Sequence, residues 1–195
     1  MDDIVKAALI KWPAVPHCCG WLGLDRNGHW YLRDAHAQAS GAFTGAAGAA
    51  SPASKGTRLQ HEKLIAFIQR NYAADAAGQW YFQNGPQRVY VELEATPYIW
   101  RLQPDGCVLS HTGAVATVHK CLLDEAGWLY LLSDLGLGLV HSADMALAAD
   151  AVQAGRWRPE AVGAAELPTL FGYVKSPHSR QDDRADRSSN GAADK

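Results

Sequence analysis

Apolar positions along the chain change period several times, and each change marks an element. Residues 2 to 12 place Ile4, Ala7, Ala8 and Ile10 at helical spacing, with Asp2 or Asp3 as cap and Pro13 as stop. This predicts a short amphipathic helix. From Gly20 to Asp34 the period falls to two, and a strand, a turn and a second strand are expected. Helical spacing returns at Leu59, Leu64, Ile65, Phe67, Ile68 and Tyr72, with Thr57 as the expected cap and Asn71 near the exit. Residues 79 to 140 read as short strands and turns. A last helix is expected after Ser142, with Met145, Ala148, Ala149 and Val152 on one face and Gly155 at its end. The stretch ELPTLFGYVK, 166 to 175, reads as an edge strand.

Two segments break the patterning. Between Ala35 and Thr57, sixteen of 23 residues are Ala, Gly or Ser, so little is left to offset the entropy of ordering. A mobile loop is expected there. From Ser176 to Lys195 there is no Leu, Ile, Val or aromatic residue, and a disordered tail is expected. A single domain therefore spans residues 1 to 175.

One local pattern recurs. LDRNGHWYLRD (24–34), ADAAGQWYFQN (74–84) and LDEAGWLYLLSD (123–134) share Asp-x-x-Gly followed by an aromatic-rich strand, and QPDGCVLSH (103–111) carries a shorter form. An Asp side chain closes such a turn on its own backbone, and Gly supplies the positive φ of the reversal. The fold class is accordingly α+β, a mainly antiparallel sheet of β-hairpins, curled or two-layered, flanked by about three helices. The spacings follow no fixed period, so a solenoid or propeller is not expected.

Composition narrows the function. With 48% apolar and 19% charged residues and a net charge of −2, the chain lacks a global basic footprint. Nucleic acid is not an expected partner. Nor is a membrane, because no apolar run reaches about eighteen residues. The first residues carry Asp2 and Asp3 where an export signal has basic ones, so a cytoplasmic location with free thiols is expected.

Candidate chemistry is sparse. His17, Cys18 and Cys19 are weak metal candidates, since adjacent residues on a strand point to opposite faces and no second ligand pair follows. In DLGLGLVHSADM, Gly136 and Gly138 precede His141, which stands where the third glycine of a nucleotide loop belongs. That favours a turn and a close backbone approach, with His141 and Ser142 left at a helix start where an anion could sit. On the strand around Arg88, Tyr90, Glu92 and Glu94, the two glutamates share one face roughly 7 Å apart. Arg88 and Arg101 are their expected cross-strand partners. A binding site is expected where Gly136, Gly138 and His141 meet Arg88 and Glu92, with Tyr90 or Trp100 offering a ring face. No catalytic residue and no cofactor is assigned.

The stretches MDDIVKAALIKWPAVPHCCGWLGLD, YFQNGPQRVYVELEATP and SDLGLGLVHSADM together resemble a proteobacterial family of uncharacterised proteins, a domain of unknown function. The resemblance covers nearly all of residues 1 to 175, excluding the Ala-rich stretch. It implies a bacterial, non-secreted protein and carries no activity. The expected function is a cytoplasmic binding or accessory protein, using a sheet face or cleft for a small molecule or a protein partner. The alternatives are a small enzyme with an acid/base site around Glu92, Glu94 and His141, and a metal-binding protein.

Overall fold

The repeated turns place the hairpins. In the computed structural model, which describes residues 1–44 and 51–178, the fourth residue of each turn donates its N–H to the first residue's carbonyl. The distances are 3.0 Å for Gly28 to Asp25, 3.1 Å for Gly78 to Asp75, 2.9 Å for Gly106 to Gln103 and 3.1 Å for Gly127 to Asp124. Gly78 shows why glycine is required: its φ is +75°, and a Cβ there would collide with the Gly172 carbonyl.

Thirteen strands form two sheets among the described residues. The first contains β1 (Cys18–Leu24), β2 (Trp30–Leu32), β3 (Thr57–Arg58), β4 (Tyr72–Ala74), β5 (Trp80–Asn84) and β6 (Gln87–Leu93), in the order β3-β2-β1-β6-β5-β4. The second contains β7 (Tyr98–Leu102), β8 (Val108–Ser110), β9 (Val115–Ala116), β10 (Val118–Leu123), β11 (Leu129–Ser133), β12 (Gly136–Val140) and β13 (Pro159–Ala161). Its order is β13-β10-β11-β12-β7-β8-β9.

Apart from β13, these are two copies of one topology. In each copy the first and last strands pair in parallel, β1 with β6 and β7 with β12, and every other pairing is antiparallel. The turns at 25–28 and 103–106 are equivalent, as are those at 75–78 and 124–127. The sequence spacing hides this duplication because the first copy carries helical insertions that the second lacks.

Three helices of nine residues match the helical patterns: α1 (Asp3–Lys11), α4 (Glu62–Arg70) and α5 (Met145–Gln153). Three shorter ones, α2 (Ala35–Ala39), α3 (Pro52–Lys55) and α6 (Leu167–Leu170), add single turns. Four expectations are corrected. Thr57 does not cap α4, because it pairs with Leu32 in β3; His61 caps instead, its ring accepting from Leu64 N–H. The expected stripe on α1 is not a core face, since Val5 alone is buried while Ile4 and Ile10 are 76% and 83% exposed. Residues 166–175 hold α6 and one bridge, Val174 to Gln79, rather than an edge strand. The described parts of 35–57 are not structureless: they form α2 and α3 and bury Phe43 completely.

That last difference rests on Arg33. Its buried guanidinium donates to the carbonyls of Ser54 (2.8 Å), Gly20 (3.1 Å) and Gly41 (2.6 Å). Together with the Asp34 cap on α2 and the buried Phe43, this side chain supplies order that the segment's own composition lacks. Residues 45–50 of the expected loop and 179–195 of the expected tail lie outside the described residues.

Period-two alternation sorts the core. Leu22, Leu24, Val91 and Leu93 of the first sheet meet Ile99, Tyr130, Leu137 and Leu139 of the second in one cluster, onto which α4 packs Leu64, Ile65 and Phe67. The other face of the second sheet gathers Trp100, Leu102, Leu131 and Val140 with Ala148 of α5. The other face of β6 carries Arg88 and the buried Tyr90 and Glu92, with Glu94 just beyond its end. Beside it, Gly23, the register partner of Glu92, abuts the Phe43 ring.

Candidate functional site

Four pieces of chain converge beside the junction of the sheets. The Asp25 turn presents Arg26, the end of β6 presents Glu94, and the Asp124 turn presents Trp128 and Tyr130. The segment after α6 adds Tyr173 and Lys175. Together with an apolar floor of Leu139 and Leu167 they line a pocket of about 310 Å³, within the range of small-molecule sites.

Hydrogen bonding inside this pocket is lopsided. Asp124 Oδ1 accepts the Ala126 and Trp128 N–H groups at 3.0 and 2.8 Å, and Oδ2 accepts the Tyr130 hydroxyl at 2.8 Å. Glu94 Oε2 accepts Lys55 Nζ at 2.9 Å and Arg26 N–H at 3.1 Å, while Oε1 lies 3.3 Å from Arg26 Nε. Tyr173 donates to the Ala95 carbonyl. The acceptors are therefore occupied by the chain itself. The donors are less fully met: Lys175 Nζ has no hydrogen-bond or ion-pair partner among the described residues, and Arg26, ion-paired with Glu94, leaves its buried Nε without a hydrogen bond. Burial, then the Arg26 charge, depresses the Lys175 pKa, and Glu94 opposes this. The Arg26 guanidinium lies over the Trp128 ring at 5.4 Å, a contact that orients it without consuming its N–H groups.

The structure does not bring together the residues singled out in the sequence. Arg88 stacks over Tyr81 at 4.6 Å and pairs with neither glutamate. Tyr90 donates to Asp75 at 3.1 Å. Glu92 is 2% exposed and accepts from Ser176 Oγ at 2.6 Å and His178 N–H at 3.1 Å. Burial pushes its carboxyl above the ordinary value. Arg101 binds Asp144 at 2.6 Å instead of a glutamate. Trp100 is buried, its Nε1 donating to Leu131 O at 2.9 Å, and Gly138 makes room for its ring. Gly136, at φ +125°, closes the turn between β11 and β12. His141 accepts the Ala143 N–H at its own helix start, which fills the position an anion would take. Its pKa is lowered by burial and by Arg101. Glu92, Glu94 and His141 thus have separate partner sets, and the acid/base site is not assembled from them.

The thiols and His17 do not converge either. Cys18, Cys107 and Cys121 are free thiols, and among the described residues no three His, Cys, Asp or Glu side chains are placed to hold a metal ion. His17 packs edge-on against Tyr90, and burial pushes the Cys18 thiol up. No helix among the described residues is long and apolar enough to cross a membrane.

Sequence reasoning reached the turns that carry Arg26 and Trp128 but not their role. The signal was present, because Arg26 occupies a variable position of the Asp-x-x-Gly turn and Trp128 follows the glycine of another. Lys175 had no such signal: it lies next to a segment read as tail.

Fold and pocket define a two-sheet α+β domain, duplicated in topology, with a cation-lined cleft. The chain belongs to the family DUF2944, described as "Protein of unknown function (DUF2946)", whose sequence model matches residues 1–178. This agrees with the resemblance to a family without an assigned activity. The chain is also similar to a solved structure of a DUF1285 family protein from Silicibacter pomeroyi DSS-3. They are 12% identical over 67% of this chain and 68% of that one, with a TM-score of 0.44. No curated protein matches the chain.

Proposed function

We propose that the protein is a binding module for a small organic anion, held in the pocket between Arg26, Trp128, Tyr173 and Lys175. The observation that carries this reading is the imbalance of hydrogen-bonding capacity: the carboxylates are occupied by the chain, whereas the half-buried Lys175 ammonium has no partner among the described residues and Arg26, though ion-paired with Glu94, keeps a buried Nε without a hydrogen bond. Leaving such donors desolvated is unfavourable, and a ligand carboxylate or phosphate would answer both. The surrounding Trp128, Tyr130, Tyr173, Leu139 and Leu167 favour a flat apolar body behind the charged group. Free thiols at Cys18, Cys107 and Cys121 suit a reducing compartment, in keeping with a cytoplasmic role.

Thermal unfolding with benzoate, its neutral isostere benzamide and inorganic phosphate tests the reading. A ligand of the native state raises the melting temperature with concentration. Benzoate should do so and benzamide should not, and the double substitution R26M/K175M should remove the response. If neither benzoate nor phosphate shifts the transition, or if the double variant responds like the wild type, the reading fails.

A further inference from the structure

The C-terminal strap, residues 173–178, builds one wall of the pocket. Its first half is held by backbone contacts: Val174 N–H donates to Gly78 O at 2.9 Å, and the Lys175 carbonyl accepts Leu93 N–H at 2.8 Å. Its second half is tied to β6 through the Glu92 side chain. Both Ser176 Oγ and His178 N–H donate to Glu92, one to each carboxylate oxygen.

Glu92 is unusual for its position. It sits mid-strand on β6, buried opposite Gly23, where an apolar residue would pack at no electrostatic cost. The nearby Arg33 does not pair with it, because its guanidinium is committed to backbone carbonyls. The strap thus supplies the donors that make this buried carboxylate tolerable, and the carboxylate fixes the strap.

Lys175 lies immediately before the latched residues. Its ammonium is half-buried without a partner, an arrangement from which a free lysine would swing into water. It is kept in the pocket because the chain on both sides of it is pinned.

Resting on the anion-pocket reading, we propose that Glu92 is a positioning residue for ligand binding. It never touches the ligand, but by anchoring Ser176 and His178 it presents Lys175 to the anion. Sites of this kind depend on the shell that holds the contacting groups in place.

The test uses the full chain with Glu92→Ala, Glu92→Gln, Ser176→Ala, Lys175→Met and the double variant E92A/K175M. Two measurements are made: benzoate affinity by calorimetry, and the rate at which an amine-reactive ester labels Lys175 in the absence of benzoate. Losing the ordered ammonium forfeits one charge-assisted hydrogen bond, so E92A should weaken benzoate about tenfold. It should also raise Lys175 labelling several-fold. E92Q should keep both values near wild type, because its amide oxygen can accept the His178 N–H while its NH2 donates to Ser176 Oγ, whose hydroxyl can turn. E92A should cause no further loss in the K175M background, the non-additivity expected of residues acting through one another. Equal losses in both backgrounds, or a wild-type labelling rate in E92A, overturn the proposal. Should E92A fail to fold, S176A removes the 2.6 Å bond from the other side and is read in the same way. If benzoate does not bind the wild type, the pocket reading fails on its own, and the labelling rate still decides whether Glu92 places Lys175.

Discussion

The indole of Trp100 on β7 lies directly against Gly138 on the neighbouring strand β12, and its Nε1 donates 2.9 Å across the sheet to Leu131 O. The φ of Gly138 is not in the left-handed region, so what the position demands is space. A Cβ there would overlap Nε1 and Cε2 of the ring. Gly138→Ala should therefore destabilise the fold by about 1–3 kcal/mol, as overpacking of a tight core does. Urea unfolding measures it. Adding Trp100→Phe should recover part of the loss, and strict additivity of the two changes would refute the steric account.

Asp124 and Tyr130 form the second relationship with a measurable consequence. The carboxylate closes the turn through two backbone N–H groups and also accepts the Tyr130 hydroxyl. Asp124→Ala leaves all three donors without their acceptor and should cost about 2–3 kcal/mol, whereas Tyr130→Phe removes one bond and should cost about 1 kcal/mol. In the double variant the losses should sum to less than the parts, because removing the carboxylate already breaks the tyrosine's bond. Chemical denaturation of the four proteins gives the cycle.

What could be read from the sequence follows the range of the interaction. Asp25, Asp75 and Asp124 bond to backbone two and four residues away, so their turns are visible in the string. Alternation likewise assigns Val89, Val91 and Leu93 to the core and leaves Glu92 on the opposite face. The duplication escaped because topology repeats while spacing does not. The pocket escaped because Arg26 and Lys175 are 149 positions apart by number, 175 less 26, and are brought together only when the sheets pack. Arg33 exposed the limit of compositional argument: segment 35–44 reads as too poor in apolar residues to order itself, and side chains outside it supply part of the order.

This makes Arg33 the most sensitive position of that region. Its N–H groups satisfy carbonyls from β1, from residue 41 and from α3. Arg33→Lys keeps the charge but offers a point donor in place of the planar fork, so only part of the set can be met. The expected result is a folded protein, less stable by about 2–4 kcal/mol, whose residues 35–44 and 51–57 become susceptible to limited proteolysis. A variant cut no faster than wild type would show that Phe43 and the surrounding contacts hold the segment unaided.

His111 should set the acid limit of stability. Its ring packs against Trp30, Tyr72 and Tyr98, its Nδ1 accepts Ile99 N–H at 3.3 Å, and its Nε2 is buried without a hydrogen bond. Burial lowers its pKa from 6.5 to about 3. In the unfolded chain the imidazole takes up a proton near its ordinary pKa, while in the folded chain it does not. The unfolded state therefore binds more protons throughout the interval, and stability falls as pH falls from about 6.5 towards 3. The slope from this one group is at most about 1.4 kcal/mol per pH unit. Glu92 works in the opposite sense, because its raised pKa makes the folded state the stronger proton binder between 4.5 and its native value. Comparing wild type with His111→Asn cancels Glu92 and isolates the imidazole. Asparagine keeps an acceptor for Ile99 and cannot be protonated in this range. Denaturation curves at pH 7, 6, 5 and 4 should therefore diverge, with the wild type losing stability faster as the solution is acidified. Parallel curves would mean that the buried ring carries no pH sensitivity and that acid unfolding begins elsewhere.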